Sequence, residues 1–291
     1  MSGPSRRPFR PFVLPFLPDR SPKEPVVPVI AGAEPYRHEG GATGVLLCHG
    51  FTGSPQSLRP WAAYLAARGL SVSLPLLPGH GTRWQDLQVT GWEDWYAEVD
   101  RAFAELRERC ATVVVAGLSM GGALALRLAE RHGDAVAGLV LVNPALKVHG
   151  LAAHALPVAR HLLPSTKGIV SDIAKEGVEE TGYTRVPLHA AHSLRRFFRI
   201  VDRDLPRVER PLLLLHSATD HVVPPVDSAR VLARVSSADT TEVVLEHSHH
   251  VATLDHDADR IFAESESFVA RIAPEYAHVG LVGQEGTASG G

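Results

Sequence analysis

The stretch TVVVAGLSMGGALALRLA, residues 112–129, reads as a strand that turns sharply into a helix. Thr112–Ala116 is a short β-branched run, and Ala123–Ala129 repeats leucine and alanine at helical spacing. Between them Gly117-Leu118-Ser119-Met120-Gly121, followed by Gly122, puts a serine on the bend with glycine two residues before it and two after. A serine at such a turn is held in a strained conformation at the head of its strand, and only small neighbours leave it room. That context suits a nucleophile. The plainer alternative is a helix-capping serine in a glycine-rich turn.

Outward from this stretch the alternation repeats. Further candidate strands are Gly44–His49, Ser71–Pro75, Leu139–Val142, Pro211–His216 and Thr241–Leu245. Each is short, rich in Val and Leu, and apolar on both faces, as expected of strands buried between layers of helices. Candidate helices are Gln56–Arg68, Trp92–Arg109, Gly121–His132, Val226–Val235 and Ala258–Ile272. This order predicts an α/β fold built on a mostly parallel, doubly wound sheet. Nearly seventy residues separate Val142 from Pro211, too many for a structureless loop. Helical patterns around Leu151–Leu163 and Leu188–Val201 predict a small helical insert over about 147–205, a lid in form. Residues 1–28 hold eight prolines and read as an extended or disordered arm. Residues 29–276 form the folded domain, and 277–291, ending GQEGTASGG, a flexible tail.

Composition excludes several classes of function. The 291 residues carry 29 Lys and Arg against 32 Asp and Glu, a net charge of -3, so no basic field draws in nucleic acid. No run of about 18 apolar residues is present, and no transmembrane segment is expected. Arg6, Arg7 and Arg10 before Phe12–Leu17 imitate a signal peptide, but Pro11, Pro15 and Pro18 break any apolar helix. The two cysteines, Cys48 and Cys110, lie in or beside apolar runs and read as core residues, which favours a reducing cytoplasm.

A serine hydroxyl needs a base to take its proton, and a base needs a group to orient it. Asp220 follows the candidate strand Pro211–His216, in the order such folds use, whereas Asp202 and Asp204 precede it and read as surface or capping groups. His247, His249, His250 and His256 all follow the last strand. They lack partners at metal-site spacing, so no metal is expected. Residue chemistry narrows the base to His249 or His250 and does not choose. His49-Gly50-Phe51-Thr52-Gly53 ends an earlier strand. Its Phe51 N–H, with that of Met120 after the serine, is the candidate pair for binding an oxyanion. Trp84, Trp92 and Trp95 read as packing residues, and His80 as a residue that shapes its loop.

Five ordered motifs then carry a resemblance: HGFTGSP at 49–55, PLLPGHGT at 75–82, GLSMGG at 117–122, DHVVPP at 220–225 and SHHVATLD at 248–255. From about Pro28 to Ala273 the chain resembles the bacterial carboxylesterase and monoacylglycerol lipase family of α/β-hydrolases. The resemblance implies the α/β-hydrolase fold, a catalytic set of Ser119, Asp220 and His250, and Phe51 with Met120 as the oxyanion pair. It implies hydrolysis of a small-molecule ester or lipid through an acyl-enzyme, with no cofactor. Within the insert, Ile169 of GIVSD and Glu180 of VEETGY match the family's apolar lid and glycerol-side carboxylate. Glu180 also reads as one solvated acid beside Glu176 and Glu179. Apolar Leu151, Leu156, Leu162, Leu163 and Ile169 are candidates to line an acyl tunnel or to pack the insert on the body. C–C bond hydrolysis, amide cleavage and acyl transfer would use the same three residues. A triglyceride lipase acting at lipid surfaces is a further alternative.

Overall fold

Leucine and valine on both sides of the central runs leave them no stable place except inside a sheet covered by helices on each face. The computed structural model, which describes residues 27–150, 152–169 and 171–276, builds that arrangement. The chain enters through β1 (Tyr36–His38) and β2 (Thr43–Cys48), then α1 (Arg59–Ala67) and β3 (Ser71–Leu74). A short α2 (Trp84–Gln88) and the long α3 (Trp92–Arg107) lead to β4 (Thr112–Leu118), α4 (Met120–His132) and β5 (Gly138–Val142). The segment that follows carries α5 (Ala152–Leu162), β6 (Ser165–Lys167), β7 (Arg185–Pro187) and α6 (Leu188–Asp204). The chain closes with β8 (Leu212–Ser217), α7 (Val226–Arg234), β9 (Thr240–Leu245) and α8 (Ala258–Ile272).

Seven strands form one sheet in the order β1-β3-β2-β4-β5-β8-β9, parallel throughout except for β1, which runs antiparallel to β3. In register, Leu46 pairs with Val115 and Val115 with Leu139, so successive rows across the sheet are apolar. One face buries Leu46, Val115 and Leu141 under Trp95 and Phe103 of α3, Leu124 of α4 and Phe197 of α6. The other buries Val45, Val114 and Val140 under Trp61 and Leu65 of α1 and Phe262 and Val269 of α8. Each fully buried side chain of this kind contributes roughly 2–3 kcal/mol by the apolar area it removes from water. Trp95 is fully buried and Trp92 stacks on Phe197 at 5.3 Å, so both serve packing.

The structure departs from the sequence reading in several places. β9 is not apolar on both faces: Thr241, Glu242 and Val244 are exposed, because it is the outer strand and only Val243 and Leu245 meet the core. The insert is not purely helical. β6 and β7 pair antiparallel with Ser165 opposite Pro187, and three-residue strands so far apart in sequence carry no readable period. Asp204 is neither a surface nor a capping group: it is buried, taking Arg127 and Arg203 at 2.9 and 2.8 Å. Residues 1–26 of the arm, Leu151 and the tail from 277 lie outside the described residues. Among the described residues no helix is long and apolar enough to cross a membrane.

Candidate active site

Parallel strands bring their C-terminal ends to one edge of the sheet, and the loops leaving that edge are where such folds bind ligands. Here β2 delivers His49–Gly53, β4 delivers Ser119, β5 delivers Asn143, β8 delivers Asp220 and β9 delivers His250.

Ser119 has φ 57° and ψ -119°, between the last residue of β4 and the first of α4. Its N–H donates to Val142 O at 3.0 Å, which ties the bend to β5. The flanking glycines are steric necessities. A Cβ on Gly117 would overlap the backbone of Gly121, and one on Gly121 would overlap the carbonyl of Cys48. Among the described residues the non-glycine positions with positive φ are Thr52, Ser119, Asn143 and Ser171. Three of these line the same cavity, and the fourth holds a wall of it. Backbone strain of this kind persists only where surrounding structure enforces it, and it gathers at working sites.

The cavity, of about 260 Å³, is lined by Ser119 and His250 together with Phe51, Met120, Ile169 and Glu180. Its apolar walls come from Val148, Val186, Leu194, Phe198, Val222 and Val223. A larger neighbouring cavity, of about 630 Å³, shares Lys147, Val148, His149 and Phe198 but holds neither Ser119 nor His250. It is His250 whose ring meets Asp220: Nδ1–H donates to Asp220 Oδ2 at 2.8 Å. The other carboxylate oxygen accepts the N–H groups of Val222 and Val223 at 2.8 and 2.7 Å, and the Asp220 side chain is only 1% exposed. His249 turns away, with Nδ1 3.5 Å from Asp172 and its ring edge-on to His221. As the first residue of α4, Met120 carries a backbone N–H with no partner inside the helix.

The candidates for an acyl tunnel divide. Ile169 lines the cavity, yet Leu156 packs with Leu188 and Ala191 inside the insert, and Leu162 and Leu163 are exposed. None of these three leucines lines the cavity, whose apolar wall comes from β7, α6 and the loops after β5 and β8. Glu180 is not a solvated acid beside Glu176 and Glu179. Its carboxylate rests over Gly53, where a Cβ would come within 2.6 Å of Oε1. Burial pushes the Glu180 carboxyl up, and the charge of nearby His250 works the other way.

Three supporting residues were not singled out in the sequence. Asn143 donates from Nδ2 to His250 O at 2.8 Å and to Ser217 Oγ at 3.1 Å, while its Oδ1 accepts the Ser217 N–H at 2.7 Å. Asp172 reaches from the insert and accepts the His250 N–H at 3.2 Å and the His221 N–H at 3.1 Å. Burial opposes ionisation of Asp172, but hydrogen bonds led by the His221 side chain win and hold its carboxyl below the usual range. Tyr183 donates to Gly79 O at 2.9 Å and accepts the Thr82 N–H at 2.8 Å, fixing the turn that contains His80. An asparagine just past a strand, as in Val142-Asn143-Pro144, was the one available signal.

His80 is buried behind the site, against His49, Phe51 and Trp95. His49 donates from Nδ1 to Gly50 O and accepts the Leu77 N–H on Nε2. Burial lowers its pKa to about 4, partly offset by the bond to Gly50, so it stays a neutral structural imidazole.

A mostly parallel seven-stranded sheet, a strained serine between β4 and α4, and an Asp–His pair on the loops after β8 and β9 define an α/β-hydrolase. Consistent with this, the family model described as "Serine aminopeptidase, S33" matches residues 42–257, and the chain belongs to that family. It is 41% identical over 246 residues to a thermostable monoacylglycerol lipase from a Bacillus species, spanning 84% of this chain and 98% of that one. A carboxylesterase of Bacillus subtilis is 25% identical over 82% of this chain and 97% of its own. Among solved structures, one reported for metagenome-derived lipolytic enzymes superposes with a TM-score of 0.82 at 38% identity. That match covers 84% of this chain and all of the other. The chain is an ester-hydrolysing enzyme.

Proposed function

We propose that Ser119, Asp220 and His250 act as a Ser–Asp–His triad that cleaves acyl esters through an acyl-enzyme. The observation that carries this reading is the 2.8 Å contact of His250 Nδ1 with Asp220 beside a cavity that His250 shares with Ser119. His250 takes the Ser119 proton as the hydroxyl oxygen attacks the ester carbonyl, and Asp220 orients and stabilises the resulting imidazolium. The N–H groups of Phe51 and Met120 hold the oxyanion; losing one such donor typically costs about 3 kcal/mol. His250 returns the proton to the departing alcohol, then activates a water that releases the acid. The residues 147–205 act as the lid, and two buried, unpaired cysteines fit a reducing cytoplasm.

Within this class we infer that the substrates are monoacylglycerols with medium to long acyl chains. The apolar wall suits an acyl chain, and the Glu180 carboxylate, set over Gly53 and near His250, suits the free hydroxyls of a glycerol leaving group. The identity to a monoacylglycerol lipase supports the same substrate. Labelling with an alkyl fluorophosphonate followed by peptide mass analysis tests the triad. The expected adduct is on Ser119; a catalytically active protein labelled elsewhere overturns the assignment.

A further inference from the structure

The linear run of histidines after β9 offers no metal-site spacing, but the fold brings one of them to two residues from other segments. Asp172 of the insert, His221 of the loop after β8 and His249 of the loop after β9 present ligand atoms that all lie within 4.8 Å of one another. Asp172 Oδ1 is 2.8 Å from His221 Nδ1 and 3.5 Å from His249 Nδ1. Donors around a tetrahedral zinc sit about 3.3 Å apart, given bonds of about 2.0–2.1 Å, so little movement is needed to seat an ion.

We propose that Asp172, His221 and His249 form a three-ligand site for a zinc-class divalent cation that joins the insert to the two loops bearing Asp220 and His250. Two imidazoles and one carboxylate select zinc, cobalt or nickel over magnesium or calcium, which require oxygen donors. The carboxylate is already oriented, because its second oxygen accepts the His221 and His250 N–H groups. Orientation of this kind is what holds metal ligands in place. The His221 side chain is 55% exposed, which leaves a path for the ion and a fourth position for water.

Two consequences follow from where the site lies. His221 and His249 each directly adjoin a residue of the proposed triad, so a bound dication places positive charge close to the His250 imidazole. The ion ties the insert to the two loops bearing Asp220 and His250, so occupancy restrains their motion and slows turnover. The ion also links three separate segments of the native fold, so it raises the unfolding temperature by mass action. Ligation displaces protons from imidazole, and binding tightens as pH rises.

The test uses the untagged full chain, stripped with EDTA, and titrates zinc chloride calorimetrically, with magnesium chloride as comparison. One equivalent of zinc at micromolar affinity, a raised Tm and a rate lowered several-fold and restored by EDTA are expected. The double variant H221A/H249A should bind zinc at least about tenfold more weakly, whereas H247A and H256A should bind as the parent does. Unchanged affinity in the double variant overturns the site, as does equal affinity for magnesium. Should the double variant fold poorly, cobalt(II) absorption of the parent protein decides. Intense visible bands that zinc abolishes support the site, and a weak octahedral spectrum overturns it. Full-affinity binding with an unchanged rate overturns the coupling to the loops.

Discussion

The sheet and the insert position the same cavity by different physics. At the sheet, Ser119 sits on a close-packed bend: a Cβ on Gly117 or Gly121 would overlap backbone atoms, and the neighbouring Leu118 and Met120 are buried. In the insert, α6 packs Leu194, Phe197 and Val201 on the core, but the segment before it is held to the body largely by polar bonds. Thr181 N–H reaches Gln56 Oε1 at 2.9 Å, Tyr183 N–H reaches Thr52 O at 2.9 Å, and Ala174 and Lys175 donate to Asp255. Close packing tolerates little change, whereas a handful of hydrogen bonds worth about 1 kcal/mol each can be rearranged. Under the proposed function, the body would govern whether ester attack occurs, and the insert would govern which ester is attacked.

The largest expected effect falls on the body. Ser119→Ala should lower kcat by about 10⁴-fold or more on every ester tried, with the unfolding midpoint nearly unchanged. Unequal losses across substrates would break the division between body and insert. Next, Gly121→Ala should cost about 3 kcal/mol or more of stability, because the added Cβ meets the Cys48 carbonyl. Urea denaturation measures this, and a folded, active variant would show that the bend can relax.

A third expectation concerns pH. His49 is fully buried, and its pKa falls from 6.5 to about 4 on folding. A depressed folded value means its contribution is intact above pH 6.5 and is lost as pH falls toward 4, by roughly 3 kcal/mol in all. His49→Gln keeps an acceptor for the Leu77 N–H and should flatten stability against pH across that window. An equally steep curve in the variant would assign the acid sensitivity elsewhere. The smallest effect belongs to the insert. Glu180→Ala should narrow the kcat/KM ratio between a monoacylglycerol and the matching ethyl ester by roughly tenfold, leaving the ethyl ester rate within a few-fold. An unchanged ratio would make Glu180 a structural acid.

The same contrast explains what could be read from the sequence. Buried parallel strands and the helices between them announce themselves by apolar runs, so β2 to β5, β8 and α3, α4, α7 and α8 emerge within a few residues of their bounds. β1, β6 and β7 are three residues each, too short for a period, and β9 reads as buried although it is an edge. Ser119 and Asp220 were nameable because each leaves a strand end. Choosing between His249 and His250 required family resemblance, since two adjacent histidines have the same spacing. Asp172 and Asn143 carry no motif; their contacts with the His250 segment span 78 and 107 positions. Leu162 and Leu163 are exposed and serve neither as tunnel lining nor as packing, because an amphipathic stripe does not say whether a neighbour will cover it.

Tyr183 has a consequence for how inserts of this kind can be exchanged between relatives. Its hydroxyl accepts the Thr82 N–H and donates to Gly79 O, so a residue of the insert completes a turn that belongs to the body. A chimera that imports a foreign segment in place of residues 147–205 must bring a hydroxyl to that spot. Without one, both peptide groups lose their partner, and the turn beside His80 loosens even though every sheet residue is native. A crossover placed just before Thr181 keeps that hydroxyl with its host. Tyr183 thus marks a natural seam, and libraries cut there should recover more folded members than libraries cut at the edges of the insert.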